Sequence, residues 1–309
     1  MGNWDSILLM ALFVVLVFGL YFFFINIHGE KLQYKEYSYN FSNENLSNYS
    51  QFYPNMRYKY SNISYRISDA CDSAKKIEAE NALFILSNKT RLTFYPDSSS
   101  PQINILCTNI EQSKTKEGYL IAGEGGPSKV IPVGNYYLIL EGKVSLYRTE
   151  KCQSPQVAVH EILHALGFDH NKNPGSIMYP ITTCEQTIDD YIINDIDIIY
   201  RLEPHPDLVI EYLSNVSIDK GLMDFNISVA NRGLDDAKNA TLLLLNTDNS
   251  TIKEFSLGGI NVGVKKTLII NNLKVPSGLK KAIFEVEVGG DEKELEYDNN
   301  LVELTAVGA

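Results

Sequence analysis

The chain has 309 residues, more than one short domain needs, so two globular units and a segment outside them are expected. Its 38 acidic residues outnumber 27 basic ones, and the net charge of −11 argues against nucleic acid as a partner, because phosphate recognition needs basic stripes. The four cysteines show no C-x-x-C spacing, which argues against a cysteine zinc site.

Ile7 to Ile27 is an uncharged apolar run. As a helix it would span ~30 Å, the thickness of a bilayer core. A cleavable signal peptide is the competing reading, but no Lys or Arg precedes the run and no small-x-small cleavage site follows it. Residues 1–27 are therefore read as an uncleaved N-terminal transmembrane helix that anchors the chain in the membrane. Residues 28–51 are rich in Tyr, Asn and Ser without hydrophobic periodicity, and read as a glycosylated spacer.

Asn-x-Ser/Thr acceptors occur at Asn40, Asn45, Asn48, Asn62, Asn88, Asn215, Asn226, Asn239 and Asn249. Composition alone predicts roughly three, so the excess points to an exported glycoprotein, a single-pass protein of the cell membrane with its C-terminal bulk extracellular. Outside the cell the cysteines would form two disulfides out of three possible pairings. Cys152 and Cys184 flank one candidate unit, and Cys71 and Cys107 flank the helix-strand segment before it, so Cys152–Cys184 and Cys71–Cys107 are the expected bridges. Free buried thiols in a reducing compartment are the alternative.

From 52 to 203 strands and helices alternate. Ile63 to Ile67 alternates as a strand, and Asp69 to Leu86 carries helical periodicity. Strands are expected at Arg91 to Tyr95, Gln102 to Cys107, Gly118 to Ala122, Tyr136 to Leu140 and Lys143 to Tyr147. A helix should start near Ser154, a good N-cap followed by Pro155. Thr187 to Leu202 reads as a closing helix with Ile192, Ile193, Ile196 and Ile199 on one face. This order implies a mixed sheet flanked by helices.

The helix from Ser154 carries His160-Glu161-Ile162-Leu163-His164-Ala165-Leu166-Gly167-Phe168-Asp169-His170, an H-E-x-x-H-x-x-G-x-x-H pattern. Histidines at i and i+4 share one helical face and can bind one metal, while Gly167 permits the left-handed turn that returns His170 as a third nitrogen. Three protein ligands leave a fourth zinc position open, as catalysis requires. Glu161 is placed to act on water as general base and not as a ligand. Random composition gives the five fixed residues on the order of once in ten million start positions.

Eight residues beyond His170 comes Met178-Tyr179-Pro180. With this tripeptide the sequence resembles the metzincin metallopeptidases, specifically the matrixin type. The resemblance implies a zinc metalloendopeptidase acting on protein or peptide substrates, a metzincin catalytic fold, and Met178 as the Met-turn residue beneath the metal. Two departures limit it. Where matrixins carry histidines for a structural zinc, this chain has Ala122-Gly123-Glu124-Gly125-Gly126-Pro127, and beyond the three catalytic histidines it has only His28 and His205; one catalytic Zn²⁺ is expected and a second is not. Where matrixins carry Pro-x-Tyr at the specificity pocket, this chain has Pro180-Ile181-Thr182, so family substrate preferences do not transfer.

Glu203-Pro204-His205-Pro206 reads as a stiff linker. Beyond it, residues 208–307 alternate in short strands punctuated by Asn231-Arg232-Gly233, Gly258-Gly259, Pro276-Ser277-Gly278 and Gly289-Gly290, the pattern of an antiparallel β-sandwich. Pro206-Asp207-Leu208-Val209, Ala230-Asn231-Arg232-Gly233-Leu234 and Glu296-Tyr297-Asp298-Asn299-Asn300 resemble CARDB-type immunoglobulin-like domains. No catalytic cluster is present there, which leaves spacing, adhesion or docking of a cell-surface ligand. The expected organisation is anchor 1–27, spacer 28–51, zinc metallopeptidase domain 52–203 and CARDB-like sandwich 204–309. The reading from a different class is a cell-surface adhesion or binding protein with a degenerate peptidase domain.

Overall fold

The computed structural model describes residues 10, 12–18, 32–38, 50–108, 121–149, 151–290 and 292–307. Two units emerge: Phe41–Asp207 with Arg232–Asp236, and Met1–Asn40 with Leu208–Asn231 and Ala237–Ala309. The chain contributes β1 (Leu32–Tyr34) and β2 (Tyr37–Ser38) to the second unit before it builds the first.

The first unit contains β3 (Met56–Arg57), β4 (Asn62–Ile67), α1 (Ser73–Lys89), β5 (Thr93–Pro96), β6 (Ile103–Cys107), β7 (Gly123–Val133), β8 (Tyr136–Leu146), α2 (Gln156–Ala165) and α3 (Asp190–Arg201). Strands β5, β4, β6 and β8 pair in parallel in that order, β3 also runs parallel to β8, and β7 returns antiparallel beside β8. This is the mixed sheet expected from the alternation. Ile63, Ile103, Ile105, Val144 and Leu146 of the sheet share one core with Ala79, Leu83 and Leu86 of α1 and Ala158, Val159, Ile162 and Leu163 of α2. Disulfides join Cys71 to Cys107 and Cys152 to Cys184, the pairs named from the sequence.

Several local expectations shift: the strands expected at Tyr136 to Leu140 and Lys143 to Tyr147 are one strand, β8, and the closing helix starts at Asp190 and not Thr187. Helix α1 starts four residues late because Asp72 caps it, its carboxylate accepting from the Lys75 amide at 2.9 Å. Ser154 is not the cap of α2: Pro155 occupies that position without a side-chain bond, and the Ser154 carbonyl instead accepts from the Gln156 amide at 2.8 Å. The strand expected at Gly118 to Ala122 is displaced. Residues 118–120 lie outside the described residues, Ile121 and Ala122 are not in a strand, and β7 begins at Gly123 and runs through a Gly-Gly-Pro stretch that reads as a loop. Pro127 is tolerated because β7 pairs only with β8 among the described residues, so a missing N–H costs little on its other edge.

In the second unit β9 (Leu208–Asp219), β10 (Leu222–Asn231), β11 (Ala237–Leu245), β12 (Thr251–Ile260), β13 (Lys265–Lys274), β14 (Lys281–Val288) and β15 (Leu301–Val307) pair antiparallel throughout. Leu213, Phe225 and Ile227 meet Leu242, Phe284 and Val286 in one apolar core, and the Phe225 and Phe284 rings lie 4.9 Å apart. The Glu294 carboxylate accepts from the Leu208 amide at 2.6 Å and from Asn300 Nδ2 at 2.8 Å, tying the start of β9 to the Asn-Asn motif.

The expected spacer is the main correction to the organisation. Leu32 and Gln33 of β1 pair with Ile218 and Ser217 of β9, while Gln33 and Tyr34 pair with Val307 and Ala306 of β15; β2 pairs with β9 as well. Part of the segment is therefore sandwich sheet, and its lack of periodicity reflects strands of only three and two residues. Most of the expected anchor lies outside the described residues. Met10 and Leu12 to Phe18 are helical and exposed, and among the described residues no helix is long and apolar enough to cross a membrane.

Candidate metal centre

The three histidines converge although α2 supplies only two. His160, His164 and His170 present their Nε2 atoms at mutual distances of 3.0, 3.1 and 3.1 Å. Gly167, at φ +98°, ends α2 and turns the chain so that His170 returns over the helix. A Cβ at Gly167 would also come within 2.8 Å of Met56 Cβ, so the position is closed to side chains on two grounds.

The other ring nitrogens fix two tautomers. His160 Nδ1 donates to the Ile177 carbonyl at 2.6 Å and His164 Nδ1 to the Phe168 carbonyl at 2.7 Å. Both Nε2 lone pairs are then free to face the centre of the triangle. Burial, with the neighbouring imidazoles adding to it, holds His160 and His164 down at about 4, and burial lowers His170 too, so all three rings are neutral near pH 7. Three neutral imidazoles at this separation are close to what three nitrogens each ~2.0–2.1 Å from one zinc ion require. They form the one cluster of three or more such groups able to hold a metal among the described residues.

Glu161 is buried beside His160, and burial first, then the Glu124 carboxylate, pushes it up to about 8 when no cation is near. Its tight seat has a cause in β7. A Cβ on Gly123 would lie 2.8 Å from Glu161 Cγ, and one on Gly125 would lie 2.1 Å from the Glu161 carbonyl oxygen. The Gly-x-Gly-Gly stretch that departs from the matrixin pattern thus lets an edge strand press onto the active helix. Tyr147 Oη donates to Glu124 Oε2 at 2.7 Å, and burial followed by that carboxylate raises the phenol to about 12.

Met178 is fully buried in the turn after the third histidine. That turn is bonded to the site at both ends: Ile177 accepts from His160, and the Met178 carbonyl accepts from the Asn171 amide at 2.9 Å. The Ser176 hydroxyl accepts from the Met178 amide at 3.0 Å and itself donates to Asp189. Gln156 Nε2 donates to the carbonyls of Cys184 and Gln186, fastening the start of α2 to the segment beyond the turn.

The sequence reading missed Gly123, Gly125, Glu124 and Tyr147 because their roles depend on strand placement and not on spacing. A cavity of about 600 Å³ lies away from this site, in the second unit, among residues that include Gln33, Asn215, Asp224 and Asn226. Of the acceptor asparagines, Asn62, Asn88, Asn215, Asn239 and Asn249 are exposed, Asn226 is half-buried within β10, and Asn40, Asn45 and Asn48 lie outside the described residues.

A mixed sheet, the H-E-x-x-H helix, a glycine turn and a buried methionine turn thus come together in one unit. Residues 55–202 match the family model described as Peptidase_M10, Matrixin. Two solved structures are also similar. One is a domain of a cell surface protein from Methanosarcina acetivorans, 15% identical, covering 33% of this chain and 91% of that one with a TM-score of 0.27. The other is the CARDB domain of the PF1109 protein from Pyrococcus furiosus, in complex with di-metal ions, 16% identical, covering 33% of this chain and 88% of that one, also at 0.27.

Proposed function

We propose that this protein is a zinc-dependent endopeptidase anchored in the membrane by residues 7–27, with both units outside the cell. The observation that carries the reading is the triangle of Nε2 atoms at 3.0–3.1 Å, with His160 and His164 oriented by backbone carbonyls. His160, His164 and His170 would hold zinc, and a zinc ion there supplies Lewis-acid polarisation of the scissile carbonyl and a lowered pKa for attacking water. Glu161 takes the proton of that water and returns it to the leaving amine. Its burial serves this role, since a carboxylate stripped of solvent is a stronger base than one in water. Met178 closes the site from below as a packing residue, because a thioether competes poorly with imidazole for zinc.

The anchor reading rests on the uncharged apolar run and its exposed helical side chains at Met10 and Leu12 to Phe18. Leu32, the first residue of β1, follows Ile27 by only five residues, a reach of at most ~18 Å. The sandwich, and not a loose spacer, would then stand next to the bilayer. Extracellular placement is further supported by two disulfides and by five exposed acceptor asparagines.

The test is cleavage of an unfolded protein by the detergent-solubilised full chain. Glu161→Ala should lower turnover by about 10²–10⁴-fold while zinc content stays at the wild-type level. Zinc binding by the wild type with no cleavage across a broad peptide library would favour a cell-surface binding protein instead.

A further inference from the structure

The turn that delivers His170 is gripped from outside by residues that take no part in the chemistry above. The Ser50 carbonyl accepts from the Asp169 amide at 2.9 Å, and the Phe52 amide donates to the Gly167 carbonyl at 2.9 Å. Gln51 thereby forms an antiparallel bridge with Phe168. The buried Gln51 side chain closes residues 51–56 into a loop: its Nε2 donates to the Met56 carbonyl at 2.8 Å and its Oε1 accepts from the Met56 amide at 2.9 Å. Met56 then lies directly against Gly167. The turn is thus held by backbone bonds on one side and by a packed side chain on the other. Phe52 also stacks on the His164 ring, with centroids 5.7 Å apart and planes 25° from parallel.

We propose that Gln51 and Phe52 are positioning residues of the metal centre, and the idea rests on the zinc reading given above. His170 is the exposed member of the triad and sits outside the helix that holds the other two. Unless its turn is held beforehand, ordering it on metal binding costs conformational entropy and weakens affinity. His164 depends on the same turn, since its Nδ1 partner is the Phe168 carbonyl, and Phe52 adds restraint on the ring plane. The loop therefore acts on two of the three ligands at once.

Chelator competition on the full chain measures zinc affinity, and the visible spectrum of the cobalt(II)-loaded chain reports the geometry of the site. Phe52→Ala and Gln51→Ala should each weaken zinc binding by about tenfold or more, in the range seen when partners of metal ligands are removed. The cobalt bands should change in both, and Phe52→Tyr should restore affinity and spectrum. Metal-free Phe52→Ala should melt close to wild type, because Phe52 is 39% exposed and contributes little core. If Gln51→Ala does not fold, the Phe52 pair decides alone. Wild-type affinity and spectrum in Phe52→Ala, or a loss that Phe52→Tyr does not restore, would overturn the proposal. A wild-type chain that binds no zinc would instead overturn the zinc reading, and the positioning role with it.

Discussion

The two units solve the problem of holding a fold together in different ways. The sandwich relies on an apolar core between antiparallel strands, with a few polar ties such as Glu294 to Leu208 and Asn300. The first unit contains both disulfides, three histidines whose Nε2 atoms converge, a buried glutamate, and Arg57, whose guanidinium donates to the Ile199 and Leu202 carbonyls at the end of α3. Buried ionisable groups oppose folding unless they are paired or neutralised. The unit that bears the site satisfies this condition, with its imidazoles neutral and Arg57 bonded to carbonyls, and it is also the unit that carries both covalent braces.

Reduction should separate the units most widely. The two bridges close loops spanning 36 and 32 residues, each worth about 3–4 kcal/mol in the chain-entropy model. Under reducing conditions the melting transition of the first unit should fall well below its oxidised value while that of the all-β second unit stays put. A common shift of both transitions would break the comparison. A sharper, smaller test contrasts neighbouring glycines. A Cβ at Gly125 meets the Glu161 backbone at 2.1 Å, whereas one at Gly126 meets nothing within 4 Å. Gly125→Ala should cost about 3 kcal/mol and disturb Glu161, and Gly126→Ala should leave melting and cleavage unchanged.

The smallest effect is in alkali. Burial raises the Tyr200 phenol to about 12, against the Tyr58 amide that donates to it and pulls the other way. The folded state thus keeps its proton above the ordinary value near 10. Its contribution to stability is fully present below pH 10 and is lost as pH rises through 12. Chemical denaturation of the first unit followed between pH 10 and 12 should show this decline, and Tyr200→Phe should make it shallower without abolishing it, because burial also raises Tyr58 and Tyr147.

Much of this was legible in the sequence where the chemistry is local. The i, i+4 histidines, Gly167 and His170 fall within one helix and one turn, so spacing alone placed the triad and Glu161. The all-β character of the second unit was legible for the same reason, since alternation along β10 is a period-two signal that the strand carries by itself. What escaped depends on distant pairing. β7 reads as a loop because its glycines serve contact with Glu161 and not strand propensity, and β1 is too short to show a period before β9 and β15 close on it. Gln51 falls at the end of the expected spacer and Phe52 at the start of the expected metallopeptidase domain, and nothing nearby in sequence hints that they meet Phe168 and Gly167.

The central claim is that three histidines on this chain make one catalytic zinc site. X-ray absorption at the zinc edge of the purified full chain tests it most directly. The account predicts one zinc per chain, three nitrogen neighbours at about 2.0–2.1 Å with an oxygen completing the set, and loss of one nitrogen in His170→Ala. A sulfur neighbour, or a spectrum unchanged by His170→Ala, would contradict it.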